Sequence, residues 1–157
     1  MPRLLDGWRR LQAASIWGPG NVSTEDARVR RLLQRSLPEF YIGCFFFGVL
    51  GVLGGVPALR QSFGEDYASL IGCVLAVLAI VAGAGAAFPA RLWRVEFYAV
   101  SMLSVVVLLY AGAVLWAAFQ ELDLGRGAVA FAIYAMSVLP RWRITDIYRE
   151  RKVHGWP

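Results

Sequence analysis

FYAVSMLSVVVLLYAGAVLWAAF, residues 97–119, is the stretch that decides the fold, because its 23 residues carry no charged side chain. A helix needs about 20 apolar residues to cross a hydrocarbon core roughly 30 Å thick. Two blocks of similar length and character precede it, at 40–59 and 67–88, and a shorter one follows at 127–140. Only 17% of the 157 residues are charged, against about a quarter in soluble domains. We therefore predict an all-α, integral membrane protein.

The fourth block is the least regular of the set. Its uncharged core, GAVAFAIYAMSVLP, is closer in length to a re-entrant or buried segment than to a full crossing. Arg126 and Arg141 can extend their aliphatic stems toward the headgroups, which lengthens the block to about 124–141. We therefore predict a four-helix bundle that crosses the membrane at about 40–59, 67–88, 97–119 and 124–141.

The distribution of Lys and Arg predicts the orientation of this bundle. The segments 1–39, 89–96 and 141–157 hold seven, two and five of the sixteen cationic residues, while the opposite loops hold only Arg60 and Arg126. Cytoplasmic loops carry the excess of Lys and Arg, so both termini are predicted to be cytoplasmic. The chain then divides into a basic N-terminal segment (1–39), a transmembrane domain (40–140) and a basic tail (141–157). Tryptophans predicted to anchor the domain at the two interfaces are Trp93, Trp116 and Trp142.

Both ends of the chain contain amphipathic patterns next to the membrane. Leu4, Leu5, Trp8 and Leu11 recur at helical spacing, which favours either a short interfacial helix or a frayed, solvated leader. A second helix is predicted between Ser23 and Pro38.

Basic side chains at these ends are predicted to lie at the membrane surface, near anionic lipid on the cytoplasmic face. These are Arg28, Arg30, Arg31, Arg35, Arg141, Arg143, Arg149, Arg151 and Lys152. The alternative is that the charges only set the topology. Binding to nucleic acid is disfavoured, because a basic cytoplasmic flank is what membrane topology already requires.

The chain offers little material for chemistry. Its single histidine, His154, lies near the C-terminus, and no group of His, Cys and carboxylate residues has metal-ligand spacing. We therefore expect no enzyme activity, no metal and no cofactor. Ionisable groups are absent from the middle of the blocks, which disfavours a proton-coupled transporter. Glu39 and Glu96, at the cytoplasmic boundary, are predicted to form ion pairs with nearby arginines at 35, 91 and 94.

Small residues at four-residue spacing allow helices to approach closely in lipid. Gly51 and Gly55 form a GxxxG motif in the first block, and Gly72, Gly83 and Ala87 contribute to a small stripe in the second. Two interpretations remain open and are compatible with each other. These faces pack the bundle internally, or they bring separate copies together as a homo-oligomer.

The whole layout, with short length, charge-free spans, no catalytic residues and a basic tail ending in RERKVHGWP, resembles the small multi-span membrane proteins of bacteriophage lysis cassettes, including holins. The resemblance implies location in the bacterial inner membrane and assembly into large lesions that release or activate a cell-wall hydrolase. The chain departs from that family in lacking a polar helix face to line a pore. The alternative function is an accessory or scaffold protein, an exclusion or immunity role included, which recruits an unidentified protein partner through its basic termini.

Overall fold

The computed structural model describes residues 2–15, 17–18, 32–54, 60 and 64–154, and these contain helices and no strand. The helices are α1 (Pro2–Ala14), α2 (Leu37–Gly54), α3 (Glu65–Ala87), α4 (Pro89–Glu121), α5 (Leu124–Met136) and α6 (Val138–His154); a π-helical turn, Leu32–Ser36, leads into α2. Three segments are long and apolar enough to cross a membrane: Leu32–Gly54, Glu65–Ala87 and Arg91–Glu121. The all-helical, membrane-type fold predicted from the sequence is confirmed at this level.

The three long helices begin before the predicted spans because polar residues join their first turns. In α3, Glu65 and Asp66 lie in the first turn, where their charge complements the helix dipole. Helix α4 begins with Pro89, whose fixed φ suits the first position of a helix. It contains one non-helical residue, Leu92 (φ −116°, ψ 17°), so its first turn is kinked relative to the rest.

The fourth predicted span consists of two helices that meet at Ser137. Asp123 caps the first of them, α5, by accepting hydrogen bonds from the backbone N–H groups of Gly125 and Arg126. With 13 residues α5 is about 20 Å long, shorter than a hydrocarbon core. The break has a local cause, since Pro140 has no N–H to donate to the carbonyl of Met136. Pro140 instead occupies the first turn of α6, where that donor is not needed.

Helices α2 to α5 pack in chain order, each against the next, and α6 packs against α4. The main buried cluster lies between α2, α3 and α4, and contains Leu37, Tyr41, Leu75, Ala82, Ala86, Ala99, Val100 and Leu103. A smaller cluster around Ala68 and Ala113 lies between α3 and α4 farther along. Many large apolar side chains on the long helices are exposed, as a surrounding lipid phase would permit.

The N-terminal helix predicted around Trp8 is present as α1, and its Trp8 and Leu11 side chains are 69% and 55% exposed. Downstream of it, the Trp17 indole Nε1 donates a hydrogen bond to the carbonyl of Gln34, 3.3 Å away. This bond links the N-terminal segment to the turn before α2. The second predicted helix, between Ser23 and Pro38, lies mostly outside the described residues.

Candidate functional site

A buried ion pair joins the start of α4 to α6. The Arg143 Nε donates to Glu96 Oε1 at 2.6 Å, and Arg143 Nη2 donates to Glu96 Oε2 at 3.0 Å. The two side chains are 1% and 0% exposed. The geometry is the parallel, two-bond arrangement that makes Arg–carboxylate pairs both strong and directional.

Close backbone packing places Glu96 in the interior. Glu96 follows the kink at Leu92, and its Cα and Cβ atoms lie against Gly85 near the end of α3. A Cβ atom added to Gly85 would lie 2.6 Å from the Glu96 Cβ, which is closer than two carbons can approach. Glycine at position 85 therefore allows α3 to pack directly on the part of α4 that carries the buried carboxylate.

Two further carboxylates on α6 face the same guanidinium. Arg143 Nη1 donates to Asp146 Oδ2 at 2.6 Å and to Glu150 Oε2 at 3.4 Å. Their side chains are 18% and 25% exposed, so the group extends from the interior toward the surface. We call Arg143, Glu96, Asp146 and Glu150 the ion cluster.

Burial and neighbouring charges shift the pKa values of Arg143 and Glu150. Burial lowers the pKa of Arg143, but the hydrogen bonds and charge of Glu96, helped by Glu150 and Asp146, outweigh burial and leave that pKa above its ordinary value. Burial raises the pKa of Glu150, and the opposing effect of Arg143 is smaller. Arg143 is therefore held firmly as a cation, whereas Glu150 accepts a proton more readily than an exposed glutamate does.

Tyr41 contributes a buried hydroxyl to the neighbouring core. Its side chain is 3% exposed and packs in the same cluster as Ala99 and Val100, which follow Glu96 on α4. Among the described residues, its hydroxyl oxygen is the one buried side-chain polar atom without a hydrogen-bond partner.

The ion cluster connects two helices. Within the described residues, no three His, Cys, Asp or Glu side chains lie close enough together to hold a metal ion. Each of the three guanidinium nitrogens of Arg143 donates to a carboxylate, and these carboxylates lie on two helices. The ion cluster therefore fixes the position of α6 relative to α4, because α6 cannot move away without leaving charges buried and unpaired.

The structure corrects one predicted membrane-surface residue. Arg143 is buried rather than exposed, because it lies on the face of α6 that packs on α4. The prediction that Glu96 pairs with Arg91 or Arg94 is wrong for the same reason, whereas the predicted Arg35–Glu39 pair is present.

The other predicted surface cations divide into two groups. Exposed side chains within the described residues are Arg35, Arg141, Arg149, Arg151 and Lys152. The remaining three, Arg28, Arg30 and Arg31, lie outside the described residues. Arg151 lies over the Trp93 ring at 5.0 Å, and Lys152 over the Tyr148 ring at 4.7 Å, so aromatic faces hold two of these cations.

Some of the small residues predicted to form helix contacts pack against other helices of the same chain. A Cβ at Gly72 would lie 2.9 Å from the carbonyl oxygen of Gly48, and a Cβ at Gly83 would contact the Tyr41 side chain. Gly51 is buried, Ala87 is partly buried, and Gly55 lies outside the described residues. A Cβ at Gly48 would lie 2.6 Å from the Gly72 carbonyl oxygen, so α2 and α3 are in close contact at Gly48, three residues before the GxxxG motif.

The three predicted tryptophan anchors have different surroundings. Trp116 is 61% exposed on α4, as an interfacial anchor requires. Trp142 is partly buried against the main core cluster, and Trp93 is partly buried beneath the guanidinium groups of Arg94 and Arg151.

Sequence reasoning missed the pairing of Glu96 with Arg143 because the two residues are 47 positions apart. A usable signal was present, since Glu96 is an acidic residue next to a charge-free block and Arg143 is separated from the preceding block by only two residues.

No protein-family model, curated protein or solved structure matches the chain.

Proposed function

We propose that the chain is an accessory membrane protein, a helical anchor that holds α6 in a fixed position at the cytoplasmic surface for a protein partner. The membrane domain in this proposal has four crossings, with α5 and the first residues of α6 forming the last. Both termini are then on the side that carries fourteen of the sixteen Lys and Arg residues, which is the cytoplasm of a bacterial cell.

The observation that carries the proposal is the two-bond ion pair between Glu96 and Arg143. A charged tail that served only to set topology needs no buried partner, since exposed cations satisfy the positive-inside rule. Here one arginine of the tail is inserted into the protein and held by three carboxylates. Such a device supports a function in which the orientation of α6 matters.

The outward side of α6 provides the surface that a partner would contact. Tyr148 is 54% exposed, and Arg149, Arg151 and Lys152 are exposed beside it. This surface carries three cations and an aromatic ring, so it complements an acidic surface on a protein partner. The same cations can also contact nearby anionic lipid headgroups.

In-cell photo-crosslinking tests the proposal. A photoreactive phenylalanine analogue replaces Arg149 in the full chain, and the same analogue replaces Leu109, an exposed residue in the middle of α4, as the control. We expect a protein adduct of defined mass at position 149 and none at 109. The adduct should weaken when Arg143→Met is added at equal membrane abundance. Absence of an adduct at 149, or an adduct unaffected by Arg143→Met, would contradict the anchor function.

The holin-like function stays a prediction from the layout of the chain. The accessory function is placed ahead of it because Gly72 and Gly83, which would join separate copies under the holin-like function, lie against α2 of the same chain. Inducible expression, with culture density, membrane potential and release of a co-expressed endolysin followed over time, distinguishes the two. Abrupt collapse with endolysin release would support lysis, and continued growth with the protein inserted would support the anchor.

A further inference from the structure

An apolar cavity of about 430 Å³ lies between α2, α3, α4 and α5. Its walls include Phe40, Gly43, Phe47, Leu75, Val107 and Met136. Among the residues that the structure describes, Glu39 is the one charged residue that lines it. The cavity lies apart from the ion cluster, none of whose four members is in its walls.

The shape of the cavity follows the axis of α2. The α2 residues in its wall run from Glu39 to Phe47, a distance of about 12 Å along a helix. An acyl chain can lie along this apolar wall, with its headgroup at the end that carries Glu39.

The cavity opens sideways, toward the region that lipid would occupy. Phe47 and Met136, from α2 and α5, line the cavity and are also 41% and 62% exposed. Gly43 is exposed as well, and a Cβ added there would have no atom within 4 Å. An apolar chain from the surrounding phase can therefore enter between α2 and α5.

An ion pair lies at the polar end of the cavity. Arg35 Nε donates to Glu39 Oε1 at 3.1 Å, and the two side chains are 78% and 64% exposed. An exposed pair of this kind stabilises a protein very little, so both groups are available to a ligand that carries the opposite charges.

We propose that the cavity binds one acyl chain of a zwitterionic, amine-bearing phospholipid, whose ammonium group pairs with Glu39 and whose phosphate pairs with Arg35. The walls supply van der Waals contact to an acyl chain. Bilayer hydrocarbon is as apolar as these walls, so the preference for one lipid comes from the charges at the rim. The adjacent anion and cation at the rim match the two charges of the headgroup.

Native mass spectrometry of the full chain tests this site. The protein is reconstituted in vesicles of equal phosphatidylethanolamine and phosphatidylglycerol, then extracted into detergent. Gly43→Phe fills the cavity, and Gly112→Phe is the matched control, because Gly112 is exposed, has open space at its Cβ position and does not line the cavity. We expect one retained phosphatidylethanolamine in the wild type and in Gly112→Phe, and at least a tenfold loss in Gly43→Phe.

A second variant tests the headgroup without changing the interior. Glu39→Gln removes the partner of the ammonium group on an exposed side chain, so retention of phosphatidylethanolamine relative to phosphatidylglycerol should fall about tenfold. Equal lipid retention in wild type and Gly43→Phe would overturn the site. An unchanged lipid ratio in Glu39→Gln would overturn the headgroup assignment. A wild-type dimer that is lost in Gly43→Phe, with no lipid retained, would make a second copy the occupant and refute the proposal.

Discussion

Replacing Arg143 by Met should destabilise the protein strongly, because it removes the cation of a buried ion pair. The substitution leaves the Glu96 carboxylate, 0% exposed, without its two hydrogen bonds. It also leaves the outer carboxylates of Asp146 and Glu150 facing each other without the cation between them. Breaking a buried ion pair by removing one partner costs about 3–5 kcal/mol, and the two-bond geometry places this pair in that range.

Arg141→Met is the matched control for this measurement. Arg141 lies two residues earlier on α6 and is exposed, and it bonds Ser137 and lies over the Tyr134 ring. Its loss should cost no more than about 1 kcal/mol. The free energy of unfolding of each variant is measured by steric trapping in lipid nanodiscs at pH 7.

A double variant separates the charge effect from lost packing. Glu96→Met combined with Arg143→Met replaces the whole pair by apolar groups, and such replacements are often neutral or favourable. The double variant should therefore recover most of the stability lost in Arg143→Met. Equal costs for Arg143→Met and Arg141→Met, or a double variant no more stable than Arg143→Met, would refute the reasoning.

Three further changes have defined outcomes. Burial raises the pKa of Glu150, so the native state binds its proton more tightly than the unfolded state, and stability falls as pH rises above the ordinary glutamate pKa of 4.5. Glu150→Gln should match the wild type below pH 4.5 and exceed it at pH 8 in unfolding measurements; a deficit at pH 8 would contradict this. Gly48→Ala places a Cβ 2.6 Å from the Gly72 carbonyl oxygen and should lower the free energy of unfolding by about 1–3 kcal/mol. Gly54→Ala is the control, because the space around Gly54 is open and the change should cost little. Equal costs for the two variants would show that α2 and α3 are not in close contact. Tyr41→Phe removes the unpartnered buried hydroxyl and should leave stability unchanged or raise it by about 1 kcal/mol; a loss above 2 kcal/mol would indicate a hydrogen bond there.

The helices themselves could be predicted from the sequence because their cause is local. A charge-free run of twenty or more residues, such as 97–119, has few alternatives to an apolar helix. The cap at Asp123 and the proline at 89 are local signals as well. Pro140 is a local signal for the helix break at Ser137. The break was not predicted because the block was identified by its lack of charged residues, and proline does not interrupt an uncharged run.

The buried site could not be predicted by the same means. Whether Arg143 faces lipid, water or protein depends on the rotation of α6 about its axis, which tertiary packing decides. The importance of Gly85 could not be predicted either, because Gly85 lies outside the four-residue stripe of Gly83 and Ala87. It matters because it allows close packing against Glu96. Positive-inside counting treats all cations of a tail as equivalent, so it cannot identify the one that is inserted into the protein.

The fixed position of α6 is the central claim, and a distance measurement between α4 and α6 tests it most directly. Spin labels replace two exposed tyrosines, Tyr98 on α4 and Tyr148 on α6, in a chain with Cys44→Ala and Cys73→Ala. Double electron–electron resonance in lipid nanodiscs should give one narrow distance distribution, which broadens when Arg143→Met is added. Two results would contradict the claim that the ion cluster holds α6 in place. One is a broad distance distribution in the spin-labelled chain that retains Arg143, and the other is a narrow distribution that persists in Arg143→Met.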